Sequence, residues 1–269
     1  MHPSTDRTVV SADGTRIAVS DAGNGPAVVV VGGAFGHRGT PFVEAVVQGL
    51  ADHHRVVTYD RRGRGDSGDT GPWAIEREVE DLDAVVAQVD GPVTVLAVCV
   101  GAGVVLHALA AGLPAEAAVL WEPPYRASVD PHADDVVFAD TLDEQVAAGR
   151  RAAAVRAFLA QVLGLPMSQV SAFRLRPRLW RTLLADAHVL ARDVRMLNGL
   201  AIPERVLAAV GVPVVVGSGT ASPRWLRLAA RATAEAIPGS ELVMIDGQGH
   251  IPDAATLARL LGALRTPRH

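Results

Sequence analysis

The stretch Val95-Leu96-Ala97-Val98-Cys99-Val100-Gly101-Ala102-Gly103 decides the reading of this chain. A nucleophile displayed on a strand-to-helix turn needs small residues two before and two after it, because the strained backbone there leaves no room for larger side chains. Ala97 and Gly101 meet that need around Cys99, so the segment reads small-x-nucleophile-x-small. The apolar run Val93 to Val98 predicts a buried strand before the turn, and Ala102 to Ala111 predicts a helix after it.

The pattern extends in both directions. Upstream, Thr8 to Ser11, the turn Asp13-Gly14 and Thr15 to Ser20 predict a β-hairpin. Ala27 to Val31 is an apolar run of the kind a parallel sheet buries on both faces. Then come an expected helix over Phe42 to Ala51, a strand over Arg55 to Tyr59, a loop over Asp60 to Asp69 and a helix over Ile75 to Val89. Downstream lies a strand over Ala117 to Trp121. Between Pro123 and about Pro203 the pattern turns to amphipathic segments rich first in acids, among them Asp130, Asp134, Asp135, Asp140, Asp143 and Glu144, and then in Arg150, Arg151 and Arg156. The strand pattern resumes at Val212 to Val216, followed by a helix over Arg224 to Ala236, a strand over Glu241 to Ile245 and a helix over Ala254 to Leu264. Successive β-α units predict an α/β fold with a mostly parallel, doubly wound sheet and an inserted helical lid. We expect one domain, with core 1–126 and 202–269 and a lid over about 127–201.

Composition narrows the chemistry. All 25 basic residues of the 269 are arginine, so mechanisms built on a lysine amine are excluded. One cysteine allows neither an intrachain disulfide nor a cysteine-built zinc site. A net charge of -4 and arginines interleaved with acids, as in Arg61, Arg62 and Arg64, predict no nucleic-acid surface, and that trio reads as a solvated loop. The segment Gly91 to Leu113 reaches membrane-spanning length, but its Gly-Pro start and central glycines fit a strand, tight turn and helix better, so no membrane span is expected. The first residues lack the apolar core of a secretory signal, which makes the cytoplasm the expected compartment.

The chain resembles the α/β hydrolase superfamily. The motifs Asp13-Gly14-Thr15-Arg16, Val31-Gly32-Gly33, Tyr59-Asp60-Arg61-Arg62-Gly63-Arg64-Gly65-Asp66-Ser67, the turn at Cys99 and Gly247-Gln248-Gly249-His250 occur in that superfamily's order. The segments Trp121-Glu122-Pro123-Pro124-Tyr125 and Gly247 to His250 are similar to a bacterial subgroup of lidded hydrolases with a Glu-Pro-Pro signature after the sixth strand. Alanine stands for the usual first glycine of the elbow, valine for its frequent histidine and cysteine for serine.

The resemblance implies a nucleophile at Cys99 and a general base at His250 in its glycine-flanked loop. The N-terminus of the following helix would favour a Cys99 thiolate through its N–H groups and dipole. The bland alternative is that Cys99 is a small buried hydrophobe in the space of a lost serine. The superfamily often carries its acid in the loop after the penultimate strand, but Gly217-Ser218-Gly219-Thr220-Ala221-Ser222-Pro223 has no carboxylate. Glu122 preserves the nucleophile, acid, base order and could orient His250, or could be a structural carboxylate at the lid junction; Asp60 is the alternative acid. Backbone N–H groups of Val100 and of Ala34, or else Phe35, would form the oxyanion hole. Phe138, Phe158, Phe173, Trp180 and Met196 are candidate walls of the lid pocket, although such spacing equally suits core.

The expected activity is hydrolysis of a carboxylic ester or thioester through a cysteine acyl-enzyme, with a small-molecule substrate and no cofactor or metal. A relative using His250 for elimination, cyclisation or isomerisation, or a degenerate ligand-binding protein, is the alternative. A dinucleotide fingerprint over Gly101-Ala102-Gly103 fails at its third glycine, which is Leu106.

Overall fold

The computed structural model describes His2, residues 4–126 and residues 134–264. Residues 127–133, where the expected lid begins, therefore lie outside the described residues. The strands are β1 (Ser4–Val10), β2 (Arg16–Ala22), β3 (Ala27–Val31), β4 (Arg55–Tyr59), β5 (Val93–Val98), β6 (Ala117–Trp121), β7 (Val214–Gly219) and β8 (Glu241–Ile245). They form one sheet in the order β1-β2-β4-β3-β5-β6-β7-β8. Only β1 with β2 and β2 with β4 are antiparallel; from β4 through β3 to β8 every pairing is parallel.

Three helices alternate with the first strands: α1 (Pro41–Leu50), α2 (Ile75–Val86) and α3 (Gly101–Ala110). A helical segment follows β6, with α4 (Asp134–Ala147), α5 (Arg151–Gln161), α6 (Met167–Ala172), α7 (Pro177–Ala185), α8 (Leu190–Met196) and α9 (Glu204–Ala208). Then α10 (Arg224–Ala236) and α11 (Ala254–Ala263) flank β8. Every residue of β3 and β6 is buried, as the unbroken apolar runs demand of strands covered on both faces. The stretch that imitated a membrane span is β5, a turn and the ten-residue α3. No helix among the described residues is long and apolar enough to cross a membrane.

One strand runs past its sequence boundary. The sequence places the strand before α10 over Val212 to Val216 and reads Gly217-Ser218-Gly219 as loop, whereas β7 continues to Gly219, with Ser218 opposite Met244 and Gly219 opposite Ile245. Small residues are required there by packing. A Cβ on Gly217 would come 2.5 Å from Leu260 and 2.8 Å from Trp121, and one on Gly219 would come 2.0 Å from the Gln248 carbonyl oxygen.

The solvated-loop reading of the arginine trio is overturned, because Arg61, Arg62 and Arg64 are all buried. Arg61 makes a two-pronged pair with Glu78 and reaches Asp193 at 3.0 Å. Arg62 grips Asp81 through two donors at 2.7 Å and Asp13 at 2.9 Å. Arg64 donates to both oxygens of Asp193 at 2.7 Å. The planar guanidinium fork suits such bidentate burial, and each charge is matched within hydrogen-bond reach. These partners lie on α2, on α8 and in the β1–β2 turn, so local sequence could not reveal them.

Candidate functional site

Cys99 follows β5 and precedes α3, and its backbone is left-handed at φ 53°. A non-glycine residue held there is strained, and such strain persists only where surrounding contacts enforce it. Here the Cys99 N–H donates to the Trp121 carbonyl at 2.9 Å. A Cβ on Gly101 would lie 2.5 Å from the Val31 carbonyl oxygen, which explains the small residue two places after the cysteine. The elbow therefore presses against the end of β3, and Cys99, 5% exposed, points into a cavity that it shares with His250.

Glu122, directly after β6, is the second strained residue of the site, with φ 47°. Its buried carboxylate accepts from His250 Nδ1 at 2.8 Å through Oε2. The other oxygen, Oε1, accepts from the Ser218 hydroxyl at 2.8 Å and the Gly219 N–H at 3.0 Å. The end of β7 thus carries no acid but supplies donors to one at the end of the neighbouring strand β6. Trp121 adds an indole N–H to the His250 carbonyl at 2.9 Å, fixing the histidine loop to β6. Sequence reasoning missed Ser218 and Trp121; the acid-free Gly-Ser-Gly was the available signal for a strand end that binds a carboxylate.

Electrostatics link the three side chains. Burial alone would lower the His250 pKa, but the charge and hydrogen bond of Cys99, followed by the hydrogen bond and charge of Glu122, lift it to about 10. Burial alone would raise the Glu122 carboxyl; hydrogen bonding, led by His250, holds it below the usual range. In the row of carboxylate, imidazole and sulfur, the ring is therefore the group that holds a proton firmly.

Asp60 is placed elsewhere. Its oxygens accept from the Arg38 N–H at 2.7 Å and the Asp66 N–H at 2.9 Å, so it ties loop backbone together while Glu122 occupies His250 Nδ1. Val100 caps α3 beside Cys99, and Ala34 is buried in the Gly32–Gly36 loop. That loop abuts the elbow: a Cβ on Gly33 would lie 3.4 Å from the Cys99 Cβ. Arg64 Nε donates to the Ala34 carbonyl at 3.0 Å, so the same arginine that holds Asp193 of α8 also holds this loop.

The cavity has a volume of about 1170 Å³. Its walls are largely apolar, with Phe35, Phe42, Val98, Leu163, Leu179 and Leu183 among them. None of the five wall candidates chosen from the sequence lines it. Phe158 and Met196 are fully buried, and Phe158 instead props Phe35 edge-on at 5.8 Å between ring centroids. Phe138, Phe158 and Met196 sit on the inward faces of their helices and pack into protein, Phe173 and Trp180 are partly buried against the core, and the cavity takes Leu179 and Leu183 of α7 and Leu163 before α6.

A parallel sheet whose strand ends present a strained cysteine, a histidine and a carboxylate in one row, under helices inserted after β6, defines a protein class. The model of the alpha/beta hydrolase family matches residues 27–260, and the chain belongs to that family. Among solved structures it is similar to an alpha/beta hydrolase from Sphaerobacter thermophilus, with 38% identity, a TM-score of 0.88, and coverage of 97% of this chain and 100% of that one. A thermophilic esterase from Thermogutta terrifontis shares the fold at 20% identity and a TM-score of 0.72, covering 97% of each chain. A curated relative, the probable oxidoreductase EphD of Mycobacterium tuberculosis, is 41% identical over 98 residues, or 34% of this chain. The chain spans only 16% of the length of that relative.

Proposed function

We propose that this protein hydrolyses carboxylic esters or thioesters through an acyl-enzyme on Cys99, under a lid formed by the helices between β6 and β7. The observation that carries the reading is the 2.8 Å bond between Glu122 and His250, joined to the coupling of His250 with the Cys99 sulfur at the floor of an apolar cavity. The Cys99 sulfur attacks the substrate carbonyl carbon, and the carbonyl electrons move onto oxygen. The N–H groups of Val100 and Ala34 receive that oxyanion. As the tetrahedral adduct collapses, the bond to the leaving alcohol or thiol breaks and His250 gives that group its proton. Forming the thioester consumes the sulfur's negative charge, which removes the strongest influence holding the proton on His250. The ring becomes a base, takes a proton from water, and hydroxide attack releases the carboxylate product and regenerates the cysteine.

Exposure to an excess of activated thioester, followed by intact-mass measurement, tests this reading. The expected result is one added acyl group, mapped to Cys99, in wild type and a longer-lived adduct in Glu122→Gln. An adduct-free protein that nevertheless turns the substrate over would overturn it.

Glu122→Gln can present an amide nitrogen to His250 Nδ1 and so permits the wrong tautomer. In a serine triad the comparable change costs ~10⁴ in kcat; a thiol depends less on the acid, so a loss on the order of 10² is expected. Steady-state kcat in the wild-type and Cys99→Ser backgrounds checks this, with the larger loss expected in the serine background.

The pH profile has a definite sign. His250 is raised, so its proton is retained at neutral pH and lost as pH rises through about 10. A profile of kcat/KM should therefore fall on an alkaline limb near that value, and Glu122→Gln should move the limb to lower pH. The same linkage contributes stability that is fully present below the unfolded-state value of about 6.5 and fades as pH rises towards 10, readable in denaturant midpoints.

A further inference from the structure

We propose that the substrate is amphipathic and carries an anionic group, which Arg176 and Arg178 hold at the mouth of the cavity while the apolar part lies over Cys99. This names the substrate class for the hydrolytic reading above and rests on it. Both arginines are exposed and line the same cavity as Cys99 and His250. Arg174, Arg176, Arg178 and Arg181 fall within eight residues, and no acid occurs between Met167 and Ala185. Among the described residues no carboxylate pairs with any of the four; Arg181 reaches only the Pro177 carbonyl of its own helix.

Among the described residues other surface arginines, Arg205 and Arg224 among them, lack a carboxylate partner too; Arg176 and Arg178 differ in lining the Cys99 cavity, and they contrast with the arginines of the strand-end loops and of α8. Arg7, Arg38, Arg55, Arg61, Arg62 and Arg64 all have carboxylate partners. Arg192 and Arg195, on the next helix after α7, are paired as well. The acid on the cavity rim is Asp253, and it is engaged at the start of α11, accepting from the Thr256 N–H at 2.7 Å and from Gln248 at 3.1 Å. Beside the arginines the rim presents Leu179 and Ile251, the latter 73% exposed. A mouth of unpaired guanidinium and exposed aliphatic groups above apolar walls matches a ligand with an apolar body and a charged end. Guanidinium forks bind carboxylate and phosphate alike, so the shared chemistry is an oxyanion.

The test uses matched substrates: S-octanoyl mercaptopropionate against its carboxamide, with the anion on the leaving thiol, and the monomethyl ester of decanedioic acid against its terminal amide, with the anion on the acyl chain. The quantity read is the ratio of kcat/KM for anionic over neutral partner. It should exceed one for at least one pair, and the pair that shows it locates the anion. In Arg176→Gln/Arg178→Gln that ratio should fall by about tenfold, as expected for two exposed charge pairs, and it should shrink with added salt in wild type. Arg176→Lys/Arg178→Lys should recover most of it, which a folding defect would not allow. Ratios near one in wild type for both pairs, or ratios unaffected by the double glutamine change, would overturn the proposal. Failure of the hydrolytic reading is told apart by calorimetry with the unreactive ketone in which methylene replaces the thioester sulfur. Arginine-dependent preference for its carboxylate over its carboxamide, or the same preference for the ketone analogue of the decanedioic ester pair, would sustain the anion site even without turnover, and no such preference in either series would reject it.

Discussion

Cys99→Ala should lower kcat towards the test ester or thioester by a factor on the order of 10⁴ or more, as removal of a nucleophile from a catalytic unit does. The reason is geometric as well as chemical. The elbow holds Cys99 at φ 53° with its N–H bound to the Trp121 carbonyl, so no other side chain of the row can take its position. His250 would lose the charge that lifts it to about 10 and would hold its proton less tightly. Fold should be little affected, since one sulfur is removed from a residue at the edge of an existing cavity. Cys99→Ser is the informative companion: with Glu122 and His250 already in line, it should retain measurable hydrolysis of oxygen esters. Steady-state kinetics and intact-mass labelling check both variants. Full activity in Cys99→Ala combined with its loss in His250→Ala would replace the acyl-enzyme by acid-base chemistry on His250, as in an elimination or isomerisation.

Asp193→Ala should destabilise the protein by about 3–5 kcal/mol, because it strips the carboxylate from two buried guanidinium groups at once. Asp193, Arg61 and Arg64 are each completely or almost completely buried, and the bonds from Arg64 to both Asp193 oxygens are 2.7 Å long. Glu78 remains to pair with Arg61, whereas Arg64 would keep only the Ala34 carbonyl and a 4.0 Å approach to Glu78. Urea unfolding of the variant measures the loss. Catalysis should suffer beyond stability, because Arg64 fixes the Gly32–Gly36 loop whose N–H groups are proposed to receive the oxyanion. A reduced kcat with nearly unchanged KM, measured where the variant is still folded, is the expected signature. Asp193→Asn, which keeps one acceptor oxygen, should recover part of both.

Much of the frame was readable from short-range pattern. The unbroken apolar runs mark β3 and β6 with their limits, and the mostly apolar Arg55 to Tyr59 and Val93 to Val98 mark β4 and β5, since a strand covered on both faces has little polar register to blur its ends. The small residues around Cys99 were legible for the same kind of reason: a tight backbone crossing leaves its requirement in the chain itself. Gly101 shows this directly, with the carbonyl oxygens of Val31 and Gly32 where a side chain would be. The strand before α10 was misjudged because Gly217-Ser218-Gly219 is locally a loop sequence, and only Trp121, Leu260 and Gln248 closing around it make it strand.

Sequence by itself determined the doubly wound sheet, the cysteine at its elbow, and a histidine and a glutamate at later strand ends. It could do so because each of those is a local demand on backbone or composition. Tertiary structure alone decided that Glu122 meets His250, that Ser218 and Gly219 serve the acid from the end of β7, and that Asp60 holds loop backbone. It also turned an apparently solvated arginine trio into a buried charge network, and left Arg176 and Arg178 unpaired among the described residues. Pairing of charges is a matter of which elements fold against one another. Asp193 lies 129 residues from Arg64, and no spacing rule along the chain reaches that far.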